Sequence, residues 1–290
     1  MVRYVHSARY RLDWPGHVFP TEKYDRVRAR LGEVLEPEPA TREELLLVHT
    51  EGYLRFLEEI SREPERGYSI FEVPCSPEVV EAFRWAAGGT ILAGRLALGE
   101  GAAANVGGGF HHAFADRGEG FCLINDIAVA IRVLRREGRL RRAAVVDLDL
   151  HQGNGTARIF QGDPDVFTFS IHQEHLYPVK ERSSLDVGLD ACTGDAEYLE
   201  KLLAALPRVF ESRPEIVVYQ AGADPYKEDQ LGSLRLTMEG LRERDRIVFE
   251  ACRRQGVPVA VTLGGGYARR MEDVVDIHVN TLRLMAEVFP

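Results

Sequence analysis

Short β-branched runs alternating with longer helical patterns predict an α/β fold: a mostly parallel central sheet with helices on both faces, in three layers. Three observations carry this. Strand-like apolar runs recur at Arg3–Val5, Ala103–Val106, Ala143–Leu148, Val166–Ile171, Ile216–Gln220 and Val257–Leu263. Helical patterns fall between and after them, at Pro77–Leu98, Asn125–Glu137, Asp195–Ser212, Thr237–Gln255 and Met271–Val288. Polar, chemistry-bearing residues follow one strand after another, where ligands bind at the carboxyl ends of open α/β sheets.

The elements follow in order. After the first strand, Ser61–Pro77 (SREPERGYSIFEVPCSP) is turn-rich and reads as a loop. Ser76 before Pro77 supplies a side-chain cap and a proline at the first helical position. The second strand runs into Gly107-Gly108-Gly109-Phe110-His111-His112. Gly138 and Gly256 directly follow Glu137 and Gln255 and read as helix stops. The third strand runs into Asp149 and His151, and the fourth leads to His172 and His175. His172–Asp195 reads as a second loop. The fifth strand runs into Ala221-Gly222-Ala223-Asp224, and the sixth into Gly264-Gly265-Gly266-Tyr267. No long Gly/Ser/Pro-rich linker and no internal repeat interrupts the pattern, so residues 1–290 read as one domain.

Composition narrows the function classes. The 290 residues, 45% of them apolar, can bury a sizeable core, which excludes global disorder. A formal net charge of −9 argues against a generic nucleic-acid surface. The basic run Arg132–Arg142 reads as the solvated face of a helix and its exit turn. Cys75, Cys122, Cys192 and Cys252 form no Cys-x-x-Cys pair, so no cysteine-type zinc site is signalled. Their wide scatter suits a reducing compartment. The N-terminus MVRYVHSARYRLDW lacks the apolar segment of a signal peptide, and no apolar run approaches the roughly 18 residues of a membrane span. The expectation is a cytoplasmic protein with neither membrane nor nucleic acid as a direct partner.

The most informative stretch is Asp147-Leu148-Asp149-Leu150-His151, which closes the third strand. Residues i and i+2 of a strand point the same way, so Asp149 and His151 can grip one divalent metal. An open catalytic site needs a third ligand. Asp224 is the candidate, although an Asp before Pro225 reads equally well as a turn residue. Two carboxylates and one imidazole suit zinc, and ligand type alone leaves Fe(II) or Co(II) open. His111 and His112 read either as one core and one surface histidine or as a proton-transfer pair beside the metal. Each imidazole then needs an orienting partner, and Asp147 and Asn154 flank the ligand segment. An Asp partner favours imidazolium, and an Asn partner leaves the ring nearer neutral. Tyr267 follows three glycines. That run competes with a phosphate cradle but lacks the Lys-Ser/Thr ending of a P-loop. A phenol presented there can stabilise an oxyanion. Phe121 and the segment Leu176-Tyr177-Pro178 either line an apolar entrance or pack as ordinary core.

Taken together, GGGFHHAFADRGEGFCLIND (107–126), VVDLDLHQGNG (145–155), YQAGADPYKEDQLG (219–232) and LGGGY (263–267) resemble the histone deacetylase family. The match extends to HVFPTEKYDRV (17–27) and GLRERD (240–245), and Asn154 is most similar to the class IV branch and its bacterial relatives. The resemblance implies an arginase-like fold with zinc at the sheet's carboxyl edge and hydrolysis of an acyl-lysine amide. It implies Asp149, His151 and Asp224 as metal ligands, His111 and His112 as the tandem histidines, and Tyr267 as the transition-state tyrosine. It places Gly120, Phe121 and Leu176, with Gly265 and Gly266, around the substrate. A potassium ion near Asp147–His151 and Ser170–Ile171 is a looser implication. The expected partner is an acyl-lysine protein or peptide, or a small acetylated amine such as an acetylpolyamine. Asn154 stands where class I has an aspartate. The loop 180–195 fits the family pattern poorly, and substrate preference is expected there.

Overall fold

The computed structural model describes every residue except Met1, Asp13 and Pro15. Seven strands, β1 (Arg3–Val5), β2 (Ala102–Asn105), β3 (Ala143–Asp147), β4 (Val166–Gln173), β5 (Leu185–Leu189), β6 (Val217–Gln220) and β7 (Val259–Thr262), form one sheet. The order is β1-β2-β7-β6-β3-β4-β5 and every pairing is parallel. The long helices are α5 (Pro77–Glu100), α6 (Asp126–Arg136), α8 (Asp195–Glu211), α9 (Met238–Gln255) and α10 (Met271–Val288). Shorter helices are α1 (Glu22–Arg28), α2 (Arg42–Leu45), α3 (Glu51–Ile60), α4 (Tyr68–Phe71) and α7 (Asn154–Phe160). The six expected strands and five expected helices are all present. The expected loop at 61–77 instead winds into a 3-10 turn and α4, and the expected loop at 172–195 contains β5.

The strands are short, apolar and buried on both faces, as parallel strands under two helical layers must be. Alternate residues serve opposite cores. Ala143 and Val145 join Ala103, Val218 and Ala260 beneath α5 and α6. Ala144 and Val146 join Val217, Tyr219, Val259 and Val261 in the larger core, with residues of α8, α9 and α10. Helix ends follow the sequence signals. Ser76 Oγ accepts from Val79 N at 3.3 Å, and Gly256 ends α9 in the left-handed conformation at φ +65°. Arg132 and Arg135 pair with Asp163, so the basic run is a solvated helix face neutralised by its neighbours. Among the described residues no helix is long and apolar enough to cross a membrane.

The strand order places the site. From β3 the chain moves outward to β4 and β5, then returns to β6 on the other side of β3. Connections that diverge from adjacent strands open a crevice at their carboxyl ends, the usual ligand position in such sheets. Four neighbouring strands, β2, β7, β6 and β3, deliver their terminal loops to that crevice. Arg244 of α9, fully buried, braces two of them by donating to Leu148 O (3.1 Å) and Gly222 O (2.7 Å).

Candidate metal centre and tandem histidines

The loops after β3 and β6 bring Asp149, His151 and Asp224 together, all buried, with one donor atom of each within 4.8 Å of the others. Backbone amides aim the carboxylates. Gly265 N donates to Asp149 Oδ2 (2.9 Å), His151 N to Asp149 Oδ1 (3.0 Å) and Leu150 N to Asp224 Oδ1 (3.0 Å). His151 Nδ1 lies 3.4 Å from Asp149 Oδ1 and 3.3 Å from Asp224 Oδ2. Burial opposes its charge, but hydrogen bonds and attraction from the two carboxylates push the imidazole up to about 10. Burial and the neighbouring Asp149 push Asp224 up to about 7. The cluster therefore demands positive charge, which a divalent cation held by two carboxylates and an imidazole satisfies.

The space around the carboxylates exists because glycines surround them. A Cβ on Gly265 would stand 2.1 Å from Asp224 Oδ2 and 2.8 Å from Asp149 Oδ2, and one on Gly222 would stand 2.5 Å from Asp149 Oδ2. The donor set and its cradle both fit a metal ion. Gly265→Ala is accordingly expected to weaken metal binding by about tenfold or more, on the scale of a lost supporting contact. Titration of metal-stripped protein with zinc checks this, and an unchanged affinity would show that the cradle tolerates the methyl group.

The tandem histidines come from the loop after β2. Asp126 at the start of α6 fixes that loop by accepting from Gly109 N (2.9 Å) and Phe110 N (2.7 Å). His111 Nδ1 meets Asp147 Oδ2 at 2.7 Å, and His112 Nδ1 meets Asn154 Oδ1 at 2.8 Å. The rings lie 4.1 Å apart, and that of His112 is 5.9 Å from His151. The two environments differ in sign. Burial opposes charge on His111, yet Asp147 and Asp149 outweigh it and push the ring up to about 9. Burial, reinforced by the charges of His111 and His151, holds His112 well below the ordinary range. A cationic imidazole thus stands beside a neutral one, the arrangement of an electrostatic helper and a base.

Tyr267 closes the opposite wall, 9% exposed, with its ring 5.9 Å from Phe121 and 6.1 Å from Phe19. Above the buried floor opens a cleft of about 220 Å³ walled by Phe121, Gly120, Tyr177, Leu231 and Tyr267, with Glu72 at its rim. Gly120 is required there. At φ +54°, an added Cβ would stand 2.7 Å from both His112 Cδ2 and the Tyr177 hydroxyl.

Four expected site residues are placed differently. Leu176 packs partly buried against the core, and its neighbour Tyr177 forms the wall. Gly265 lines the floor, whereas Gly266 turns away towards Val274 and Ala223 at φ +148°. His172 lies inside β4 against Ser170 Oγ (2.9 Å) and His175 is exposed, so neither joins the site. Sequence reasoning gave no role to Lys23 or Asp229. The Lys23 ammonium is buried behind Tyr267, donates to Gly264 O (2.7 Å) and is pushed down by burial to about 8. Asp229 accepts from Tyr267 N at 2.7 Å. Both lie inside the resemblance segments, but an isolated Lys or Asp there carries no local signal of a deep position.

Known proteins similar to this chain are numerous. Residues 17–282 match the family model of the histone deacetylase domain. An uncharacterised protein of Picosynechococcus is 41% identical over 94% of both chains. Histone deacetylase 2 of Arabidopsis thaliana is 33% identical over 97% of this chain and 78% of its own. A probable deacetylase of Methanothermobacter thermautotrophicus is 33% identical over 91% of this chain and 85% of its own. Among solved structures, an HDAC homolog complexed with SAHA superposes with a TM-score of 0.82 at 27% identity, covering 98% of this chain and 84% of that one. An HDAC homolog from Aquifex aeolicus gives 0.81 at 28% identity, with the same coverage. With the sheet, the buried Asp-His-Asp cluster and the paired imidazoles in agreement, the chain belongs to the histone deacetylase family, a family of hydrolases that use a metal and act on acetylated substrates.

Proposed function

We propose that the protein is a zinc-dependent hydrolase that removes acyl groups from lysine side chains. The observation that carries this reading is the juxtaposition of a buried Asp149-His151-Asp224 cluster with two imidazoles, one held by Asp147 and the other by Asn154, beneath a narrow aromatic cleft. Zinc bound by those three residues supplies Lewis acidity towards the acyl carbonyl and acidifies water. The aromatic walls Phe121 and Tyr177 sheath an extended alkyl stem and exclude water from the amide. His112, neutral and facing the cluster, takes the proton of the attacking water and returns it to the leaving amine. His111, cationic through Asp147, supplies positive potential beside it. The Tyr267 phenol donates to the oxyanion that develops on the substrate.

Acyl release from lysine peptides carrying acetyl through long-chain groups tests the reading, using metal-stripped and zinc-restored protein. Zinc-dependent release is expected, and the preferred chain length reports the depth of the floor. Tight zinc binding with no release from any peptide would overturn it. A second substrate class is favoured by Glu72, whose carboxylate at the rim suits a cationic amine, so a small acetylated polyamine stands as the alternative. Competition between acetyl-spermidine and an acetyl-lysine peptide separates the two.

A further inference from the structure

The partner of His112 is itself held by a charged residue. Asn154 Oδ1 accepts from His112 Nδ1 (2.8 Å) and from Gly155 N (3.0 Å). Asn154 Nδ2 donates to Glu119 Oε1 (2.7 Å) and to Val179 O (3.3 Å). Turning the amide over would point its NH2 at the Gly155 N–H and its oxygen at the Glu119 carboxylate, two repulsive contacts in place of two attractive ones. The orientation is therefore unique. An oxygen facing His112 Nδ1 accepts only if Nδ1 carries the hydrogen, and the ring's lone pair is then left on Nε2. A free asparagine amide has no such preference, since its two ends are nearly isosteric. The Gly155 N–H at one end and the Glu119 carboxylate at the other supply it, and only the carboxylate is a side chain that can be exchanged.

We propose that Glu119 is a positioning residue: it orients the Asn154 amide, and through it locks His112 in the tautomer that leaves Nε2 free to take a proton. The Glu119–Asn154 pair does jointly what a single carboxylate beside the imidazole does alone, with one difference. The negative charge stands beyond a neutral amide, so it directs the hydrogen bond without drawing a proton onto the ring. Glu119 reaches the pair from the segment that also presents Gly120 and Phe121 to the cleft, so the tautomer lock and the tunnel wall are built on one turn.

The inference rests on the proposed reaction for its kinetic consequence but not for the tautomer, and the experiment separates the two. In zinc-loaded protein, Glu119→Ala is expected to lower kcat about tenfold with KM changed less than about twofold, the scale of a lost supporting hydrogen bond. Glu119→Gln, whose amide oxygen still accepts from Asn154, recovers most of that loss. Asn154→Asp places a carboxylate against Glu119 and is expected to be impaired. Adding Glu119→Gln to it, which turns a donor towards the new aspartate, restores activity. In metal-free protein, nitrogen NMR of the His112 ring is expected to show the Nδ1–H form in wild type and a mixture of tautomers in Glu119→Ala. An unmoved tautomer in a folded Glu119→Ala protein, or Asn154→Asp/Glu119→Gln no more active than Asn154→Asp, would overturn the proposal. Wild-type protein inactive on every acyl substrate, with the tautomer shift still present, would overturn the reaction and leave the positioning role standing.

Discussion

Asp149→Ala is expected to abolish stoichiometric zinc binding and, with it, acyl release. Both oxygens of Asp149 are already aimed by backbone amides, Oδ2 by Gly265 N and Oδ1 by His151 N, so no reorganisation is needed to present them to a cation. Removing the side chain does more than delete one ligand. Asp149 is a large part of why Asp224 resists ionisation and why His151 is held protonated. Without it, Asp224 and His151 form a simple ion pair at 3.3 Å, and the demand for a further positive charge falls. Affinity should drop by at least about a hundredfold, beyond the range typical of a residue that merely supports a ligand. Metal content after dialysis against a chelator, and competition titration, measure this directly. A variant that kept tight, stoichiometric zinc would refute the assignment of Asp149 as a ligand, and retained activity would refute the metal's place in the reaction.

Much of this site is legible in the sequence because it sits where two periodicities end. Each ligand or proton-handling residue follows an apolar run whose burial on both faces already marks it as a central strand. The expected strand alternation stops short of the ligands, because β3 ends at Asp147; Asp149 and His151 lie in the bend that follows, where backbone amides rather than the pleat aim the Asp149 carboxylate. Asp147 and Asn154 are legible as candidate partners of the two imidazoles, and the fold assigns Asp147 to His111 and Asn154 to His112. What the sequence hides is set by packing between distant segments. β5 reads as loop because LDVGL is an edge strand exposed at alternate residues, and its pairing with β4, not its own composition, makes it a strand. Tyr177 replaces Leu176 on the wall because a shift of one residue turns a side chain from the core to the cleft, and no periodicity decides that within a loop. Lys23 is hidden for the opposite reason. It occupies a short helix otherwise rich in charge, where lysine is usually solvated, and only the fold sends its ammonium inward to Gly264 O. Glu119 likewise reads as a surface acid until Asn154 is brought beside it.

Tyr267→Phe should lower kcat by about 10²–10³, or roughly 2.7–4 kcal/mol of transition-state stabilisation, while leaving KM and zinc content near wild type. The loop that presents the phenol is held on every side. Gly264 turns at φ +55° against Gln220, Tyr267 N donates to Asp229 Oδ2 (2.7 Å), and Tyr267 O accepts from Gln230 Nε2 (2.7 Å). Its ring is fixed edge-on to Phe19 and Phe121. Every one of these contacts belongs to the backbone or to ring carbons, so phenylalanine preserves them and the variant removes the hydroxyl alone. Burial, with Asp224 and Asp149 nearby, keeps the phenol protonated far above neutral pH, so its hydrogen is available to donate. A donor held rigidly in a water-poor site matters most to charge that appears during the reaction, which is why the loss falls on kcat rather than on substrate binding. A raised KM with kcat retained would instead place the hydroxyl on the ground-state substrate. Near-normal values of both would remove Tyr267 from the chemistry and leave the two imidazoles and the metal to stabilise the oxyanion without it.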